Sequence, residues 1–196
     1  MEIKKTKSTS ARKLSEMEKV LFDKTLAQKE PNREIYFVWR GIEKKNGLRY
    51  DITEIPAGML DKEFVRTKGN RNSGNFPELY TILEGKAIFL LQKTKPDKID
   101  AAEDAVAIKT QKGDWVNVPA DYSVIIINPD KKTLKTGNWV SDKNQNIYEE
   151  LEKMEGMCYF YTSQGWIKNK NYSHIPKLRF EKPFKKMPKS LEYLKG

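Results

Sequence analysis

A chain of 196 residues, 38% hydrophobic and 33% charged, is the size of one domain with a real core and carries generous polar decoration. No apolar run nears the eighteen or so residues of a membrane-spanning helix, the longest being 124–127, and nothing apolar follows the basic start to act as a secretory signal. The net charge of +10 sits at the two ends, +4 over 1–13 and +7 over 166–196, so solvated termini are expected rather than a nucleic-acid surface built into the fold.

Residues 14–29 read as a short helix or helical turn. Ser15 followed three residues later by Glu18 is a capping-box pattern, and Met17, Val20, Leu21 and Leu26 supply an apolar face. From Glu34 the period changes to two: 35–41, a hairpin turn at Lys45-Asn-Gly, then 48–55. Pro56-Ala-Gly58 is the next turn. Strands are expected over 62–66, 78–83, 86–93, 106–110, 114–118 and 123–127, each bounded by Gly, Pro, Asn or Asp. The acidic and alanine-rich stretch 97–105 reads as an inserted loop or helical turn.

Residues 147–155 have helical composition, and a final hairpin, 157–162 and 166–169, turns at Ser163-Gln-Gly165. Beyond Tyr172, Pro176, Pro183 and Pro188 among lysines predict an extended tail. Many short strands with few helices mean an all-β sandwich or barrel. The expected organisation is a basic tail (1–13), one domain (14–172) and a basic extension (173–196). The lone cysteine, Cys158, excludes an intrachain disulfide and fits a reducing, cytoplasmic setting. In Met157-Cys-Tyr-Phe-Tyr it reads as a small buried hydrophobe, not a catalytic thiol.

Asn70-Arg-Asn, then Ser73 to Pro77, Glu78, six residues and Gly85 resemble the first cupin motif. Gly113, five residues, Pro119, Asp121, Val124 and Asn128 resemble the second, in frame. The resemblance implies a jelly-roll barrel (double-stranded β-helix) with short helical segments near both ends. It also implies a divalent metal held by three imidazoles and a carboxylate. Here Asn70 and Asn72 stand in the places of His-x-His and Val124 in that of the third histidine, so only Glu78 is kept. The single histidine, His174, lies far outside both motifs. An amide offers a weak neutral oxygen and valine offers nothing, while a hard ion such as Mg or Ca normally wants several carboxylates. The expectation is an amide-lined pocket with no metal cofactor.

Within that frame, Ser10-Ala-Arg-Lys-Leu-Ser-Glu-Met-Glu, Gly58, Lys62-Glu-Phe, Thr67-Lys-Gly69, Glu78-Leu-Tyr80, Leu83-Glu-Gly-Lys, Leu90-Leu-Gln and Gly113 to Pro119 resemble the archaeal-type glucose-6-phosphate isomerases, over about 10–172. The resemblance implies interconversion of glucose 6-phosphate and fructose 6-phosphate, the step shared by glycolysis and gluconeogenesis. By the same resemblance Thr53, Thr67, Lys68 and Gly69 hold the phosphate, Tyr36, Tyr80 and Tyr148 surround the sugar, Glu78 is the base, and the protein is a homodimer. Two hydroxyls, an ammonium and a glycine N–H are convergent donors for a dianion. Taken alone, Thr67-Lys-Gly69 reads as a strand-ending turn with a solvated lysine. Asn146 occupies the place of a further active-site histidine just before Tyr148.

Three functions fit these residues: an isomerase working without metal, a sugar-phosphate-binding module without chemistry, and a scaffold whose basic C-terminal arm meets nucleic acid or an acidic partner. A membrane partner is not expected. Trp39, Trp115, Trp139 and Trp166 do not discriminate, because a strand tryptophan is more often a core or dimer contact than a sugar platform.

Overall fold

The computed structural model describes residues 10–196, so 1–9 of the expected basic tail lie outside the described residues. In chain order the strands are β1 (Ser10–Lys13), β2 (Glu34–Lys45), β3 (Leu48–Ile55), β4 (Met59–Leu60), β5 (Glu63–Phe64), β6 (Asn70–Asn72), β7 (Glu78–Glu84) and β8 (Lys86–Lys95). They continue as β9 (Lys98–Gln111), β10 (Trp115–Val118), β11 (Tyr122–Ile127), β12 (Leu134–Ser141), β13 (Asn146–Ile147), β14 (Tyr159–Thr162), β15 (Gly165–Lys168) and β16 (Arg179–Glu181). Two short helices, α1 (Leu26–Lys29) and α2 (Glu149–Lys153), complete the fold with three 3-10 turns.

The strands form two six-stranded sheets, β1-β2-β3-β12-β7-β10 and β13-β6-β11-β8-β9-β16, and a small sheet β15-β14-β5-β4. The expected jelly-roll architecture is therefore present. The two large sheets pack face to face through Tyr36, Val38, Ile55, Tyr80, Ile82, Val116 and Val118 on one side. Phe89, Leu91, Val106, Ile108, Val124 and Ile126 answer from the other. Strands β8 and β11 read as continuous apolar runs because both their faces are buried. Their alternate residues, Ile88, Leu90, Ile125 and Ile127, meet Leu151, Met154, Met157 and Tyr159 on the outer side. The Lys45-Asn-Gly turn has positive φ at Asn46 (54°) and Gly47 (75°), the type I′ geometry that matches strand twist.

The structure refines one expectation, corrects two and adds a strand. Residues 14–29 take the helical-turn alternative, as two 3-10 turns, Leu14–Glu16 and Glu18–Val20, followed by α1. Tertiary bonds override the helical pattern: Glu16 caps the Lys13 N–H (2.8 Å), and the Phe22 N–H donates to the buried Glu63 carboxylate (2.7 Å). The apolar residues act instead as a plug, with Leu14, Met17, Val20 and Leu21 fully buried against the barrel core. Residues 97–105 are not an insertion but part of the long strand β9, because Ala101, Ala102 and Ala105 are buried and pairing with β8 outweighs their helical composition. Strand β12, unrecognised in the sequence, lies between β3 and β7 at the middle of its sheet. Over 62–66 only Glu63–Phe64 is strand, since Arg66 turns inward to pair with Glu63 (2.8 Å) and the Val20 carbonyl (2.6 Å).

Both basic termini join the sheets where they are described. Ser10–Lys13 pairs antiparallel with β2, so it is a strand rather than the end of a tail. The C-terminal segment adds β16 in parallel to β9, bridges Phe184 to Trp115, and ends with Leu194 buried against Leu48 and Leu79. His174 bridges to Ala101 on the outside of the second sheet. No helix among the described residues is long and apolar enough to cross a membrane.

Leu194 is fully buried, so Leu194→Ala is expected to lower unfolding stability by about 2–5 kcal/mol. A urea denaturation midpoint measures this; an unchanged midpoint would show that the C-terminal segment does not seal the first sheet.

Candidate functional site

Strand β6 is paired on both edges. Asn70 stands opposite Val124 of β11, and Asn72 opposite Asn146 of β13. Since residues two apart on a strand share a face, the four positions where imidazoles are missing come together at one corner of the barrel.

That corner is filled by amides bonded to one another. The Asn72 Nδ2 donates to the Phe76 carbonyl (2.8 Å), which leaves Asn72 Oδ1 facing Asn70 Nδ2 (3.4 Å) and Asn144 Nδ2 (2.9 Å). Asn144 Nδ2 also reaches Asn146 Oδ1 (3.2 Å), and Asn146 Nδ2 donates to the Tyr148 hydroxyl (3.3 Å). The polarity of the row follows from the Phe76 carbonyl, which can only accept. Val124 adds methyl groups beside it.

Next to this corner lies a cavity of about 260 Å³. Of the residues expected from the sequence, Tyr36, Thr53, Thr67, Glu78, Tyr80 and Tyr148 line it, together with Asn70, Val124 and Asn146. The strands explain why: Glu78, Tyr80 and Ile82 alternate inward on β7, and Val38 faces Thr53, which faces Thr136. Thr67 is pinned, its N–H donating to the Ile126 carbonyl (2.9 Å) and its Oγ1 accepting from the Ile126 N–H (3.0 Å). Its own hydroxyl proton remains available for a ligand.

Lys68 and Gly69, expected in the phosphate set, do not line the cavity, and neither does Asn72. The Lys68 ammonium is paired with Glu152 of α2 (2.5 Å), 5.3 Å from the centre of the Tyr148 ring. This bond holds the Glu152 carboxyl below its usual range. The Lys68 N–H donates to the Tyr36 hydroxyl (3.3 Å). Gly69 has φ +88°, and a Cβ there would stand 2.7 Å from Ile125 and 3.0 Å from Leu151, so it serves close packing of the segment leading into β6 against β11 and α2 rather than contact with the cavity.

The cation at the cavity wall is Arg12, which the sequence reading missed. It reaches the Tyr36 hydroxyl (3.4 Å) and Glu16 (2.7 Å), with its guanidinium 5.4 Å from the Tyr148 ring centre. Arg40, Asp51 and Asn138 also line the cavity. Asp51 was legible in principle, since it alternates with Thr53 on β3; Asn138 lies on the unrecognised strand β12. Asp51 is buried and accepts from the Gly41 N–H (2.7 Å) and Arg49 (3.0 Å), with Arg40 at 3.6 Å.

Glu78 is the most unusual ionisable group. Burial raises its pKa, opposed by the Tyr80 hydroxyl, which donates to its carboxylate. Burial and the adjoining Glu78 in turn hold the proton on Tyr80. Cys158 is unsuited to nucleophilic work: it is fully buried, and burial pushes its thiol up to about 12.

The residues present do not fit the metal of cupin enzymes. The amide oxygen of Asn72 is engaged by neighbouring amides, Val124 has no lone pair, and Glu78 is the one carboxylate at the corner. Among the described residues no three His, Cys, Asp or Glu side chains gather as a metal-binding group.

A family model described as glucose-6-phosphate isomerase (GPI) matches residues 24–177. No curated protein sequence matches the chain. Among solved structures, the cupin domain of Schizosaccharomyces pombe Cnp3 is similar at 13% identity and TM-score 0.40, over 66% of this chain and 79% of that one. Oxalate decarboxylase from Lactobacillus farciminis is similar at 15% identity and TM-score 0.46, over 63% of this chain and 34% of that one. Vicilin from Corylus avellana is similar at 12% identity and TM-score 0.45, over 60% and 33%. The chain thus spans about a third of the latter two.

Protein incubated with excess Mn(II) and desalted is expected to retain far less than one equivalent by elemental analysis. The triple variant Asn70→His, Asn72→His, Val124→His, which rebuilds three imidazoles around Glu78, is expected to retain about one. Stoichiometric Mn in the unaltered protein would contradict the donor-set argument.

Proposed function

Given that the chain belongs to the glucose-6-phosphate isomerase family, in its cupin-type branch, we propose that its cavity binds a hexose 6-phosphate and interconverts the aldose and ketose slowly, without a metal. The observation that supports this most is the convergence of Arg12, Tyr36, Thr53, Thr67 and Tyr148 on the cavity that also holds Glu78. One guanidinium and several hydroxyls make a charge-assisted clamp for a phosphate dianion. Arg12 takes the role that resemblance gave to Lys68.

Aldose–ketose isomerisation moves a proton between C2 and C1 through an enediol. Glu78 is the base: it takes the C2 proton of the open-chain aldose and returns it to C1, while the hydroxyl proton passes from O2 to O1, with Tyr80 fixing the carboxylate. The developing oxyanion needs a donor. The Tyr148 hydroxyl accepts from Asn146 and so has its own proton to give, and the Asn138 amide lines the same cavity. Neutral donors stabilise an enediolate less than a divalent ion does, and one lost electrophilic donor costs roughly a hundred- to thousand-fold in rate. Slow turnover follows.

A second reading, binding without chemistry, has one observation in its favour. The amides at the corner spend their donors on one another, which withdraws electrophiles from the ligand. The scaffold reading has less support, because the basic C-terminal segment is laid into the sheets, with Arg179 on Asp104 (2.6 Å) and Lys185 on Asp114 (2.7 Å).

An isomerase assay on fructose 6-phosphate, with and without Mn(II), tests this. Turnover is expected to be slow, indifferent to Mn(II) and lost in Glu78→Gln. A base must be deprotonated, so with a raised Glu78 pKa the rate should climb with pH above the ordinary carboxylate range and fall on the acid side. Saturable binding with no turnover selects the second reading; absence of binding overturns both.

A further inference from the structure

A second hollow of about 480 Å³ adjoins the cavity and shares Arg40, Asn146 and Tyr148 with it. Its other charged lining residues are Lys44, Arg49 and Asp142. The cations are placed by a local device. Between Trp39 and Glu43 strand β2 slips register, so that Arg40, Gly41 and Ile42 bulge opposite Asp51. Gly41 takes φ +64°, and its N–H leaves the ladder for the Asp51 carboxylate (2.7 Å). Bulges of this kind re-aim side chains beside binding sites, and this one sets Arg40 at the junction of both hollows.

Past the bulge, Lys44 and Arg49 are direct cross-strand partners. Like charges in that relation repel. Arg49 is offset by Asp51 (3.0 Å) and donates to the Asn144 carbonyl (3.1 Å), but Lys44 makes no ion pair with any described residue. Asp142 is the single carboxylate lining the hollow. The hairpin thus sets Lys44, which makes no ion pair with a described residue, beside the Asp51-paired Arg49 in a hollow adjoining the cavity that Arg12 lines. Arg12 pairs across to Tyr36, and Tyr36 lies four residues before Arg40 on β2, about 13 Å of extended strand.

We infer that this vestibule receives a second anionic group, and that the ligand is a sugar carrying a phosphate at each end. One phosphate lies against Arg12 and Thr67, the sugar beside Glu78, and the other phosphate against Lys44 and Arg49. This rests on the sugar-phosphate reading of the cavity and names its ligand class more narrowly.

Calorimetric titration of the full chain with fructose 6-phosphate and with fructose 1,6-bisphosphate tests it. The bisphosphate is expected to bind roughly tenfold tighter or better, as one added charge-assisted contact implies. Lys44→Ala, an exposed change outside the cavity, should erase most of that advantage while leaving monophosphate affinity unaltered, and Lys44→Arg should keep it. Equal affinities, or an advantage that survives Lys44→Ala, overturn the inference and leave the sugar-phosphate reading standing. If neither sugar binds, that reading falls and takes the inference with it.

Discussion

Strand β6 is held between β11, opposite Asn70 and Arg71, and β13, opposite Arg71 and Asn72, and this double register fixes the chemistry of the barrel's mouth. A slip of one residue would turn Asn70 and Asn72 away from the cavity corner and put Arg71 in their place. Held as they are, the two amides meet Val124 and Asn146. Because the Phe76 carbonyl can accept only, every amide along the row acquires a fixed polarity, ending at Tyr148. The corner becomes a network of interlocked amides, in which the Asn144 Oδ1 is buried without a hydrogen-bond partner among the described residues. A metal there would have to break those bonds and would gain one carboxylate, Glu78, and otherwise neutral amide oxygens in return.

The rest of the site follows from how charge is partitioned around this network. Lys68 is withdrawn to Glu152, so the cavity wall receives Arg12 from β1 instead, a strand that precedes the region matched by the family model. Glu78 stays buried, with the Tyr80 hydroxyl donating to it and Asn72 beside it. Asp51 sits beneath Arg40 and Arg49 and anchors the bulge between them. The arrangement lines the cavity with Arg12 and Arg40 and with two buried carboxylates, Glu78 and the arginine-paired Asp51.

Much of this was legible in the chain. The period-two runs, the Asn-Gly turn and the spacing of the two motifs pointed to the all-β barrel, though not to its full set of strands, and the motif frame located Glu78, Tyr80, Thr67 and the amide positions. What was not legible was tertiary in origin. The apolar residues of 14–21 keep a helical spacing, yet they form a plug because Glu63 captures the chain at Phe22. Strand β12 escaped notice because Thr136, Gly137 and Asn138 weaken its apolar signal. Gly137 is needed there because a Cβ would collide with the Tyr50 ring. The partner of Lys68 lies 84 residues away on α2, a distance at which no local pattern could show that the lysine is already spoken for.

The central claim is that this barrel recognises a sugar phosphate through side chains alone. Calorimetric titration of fructose 6-phosphate into protein exhaustively treated with a chelator addresses it most directly. Saturable binding, equal with and without added Mn(II), is the predicted result. Binding that vanishes on chelation and returns with Mn(II) would contradict the account.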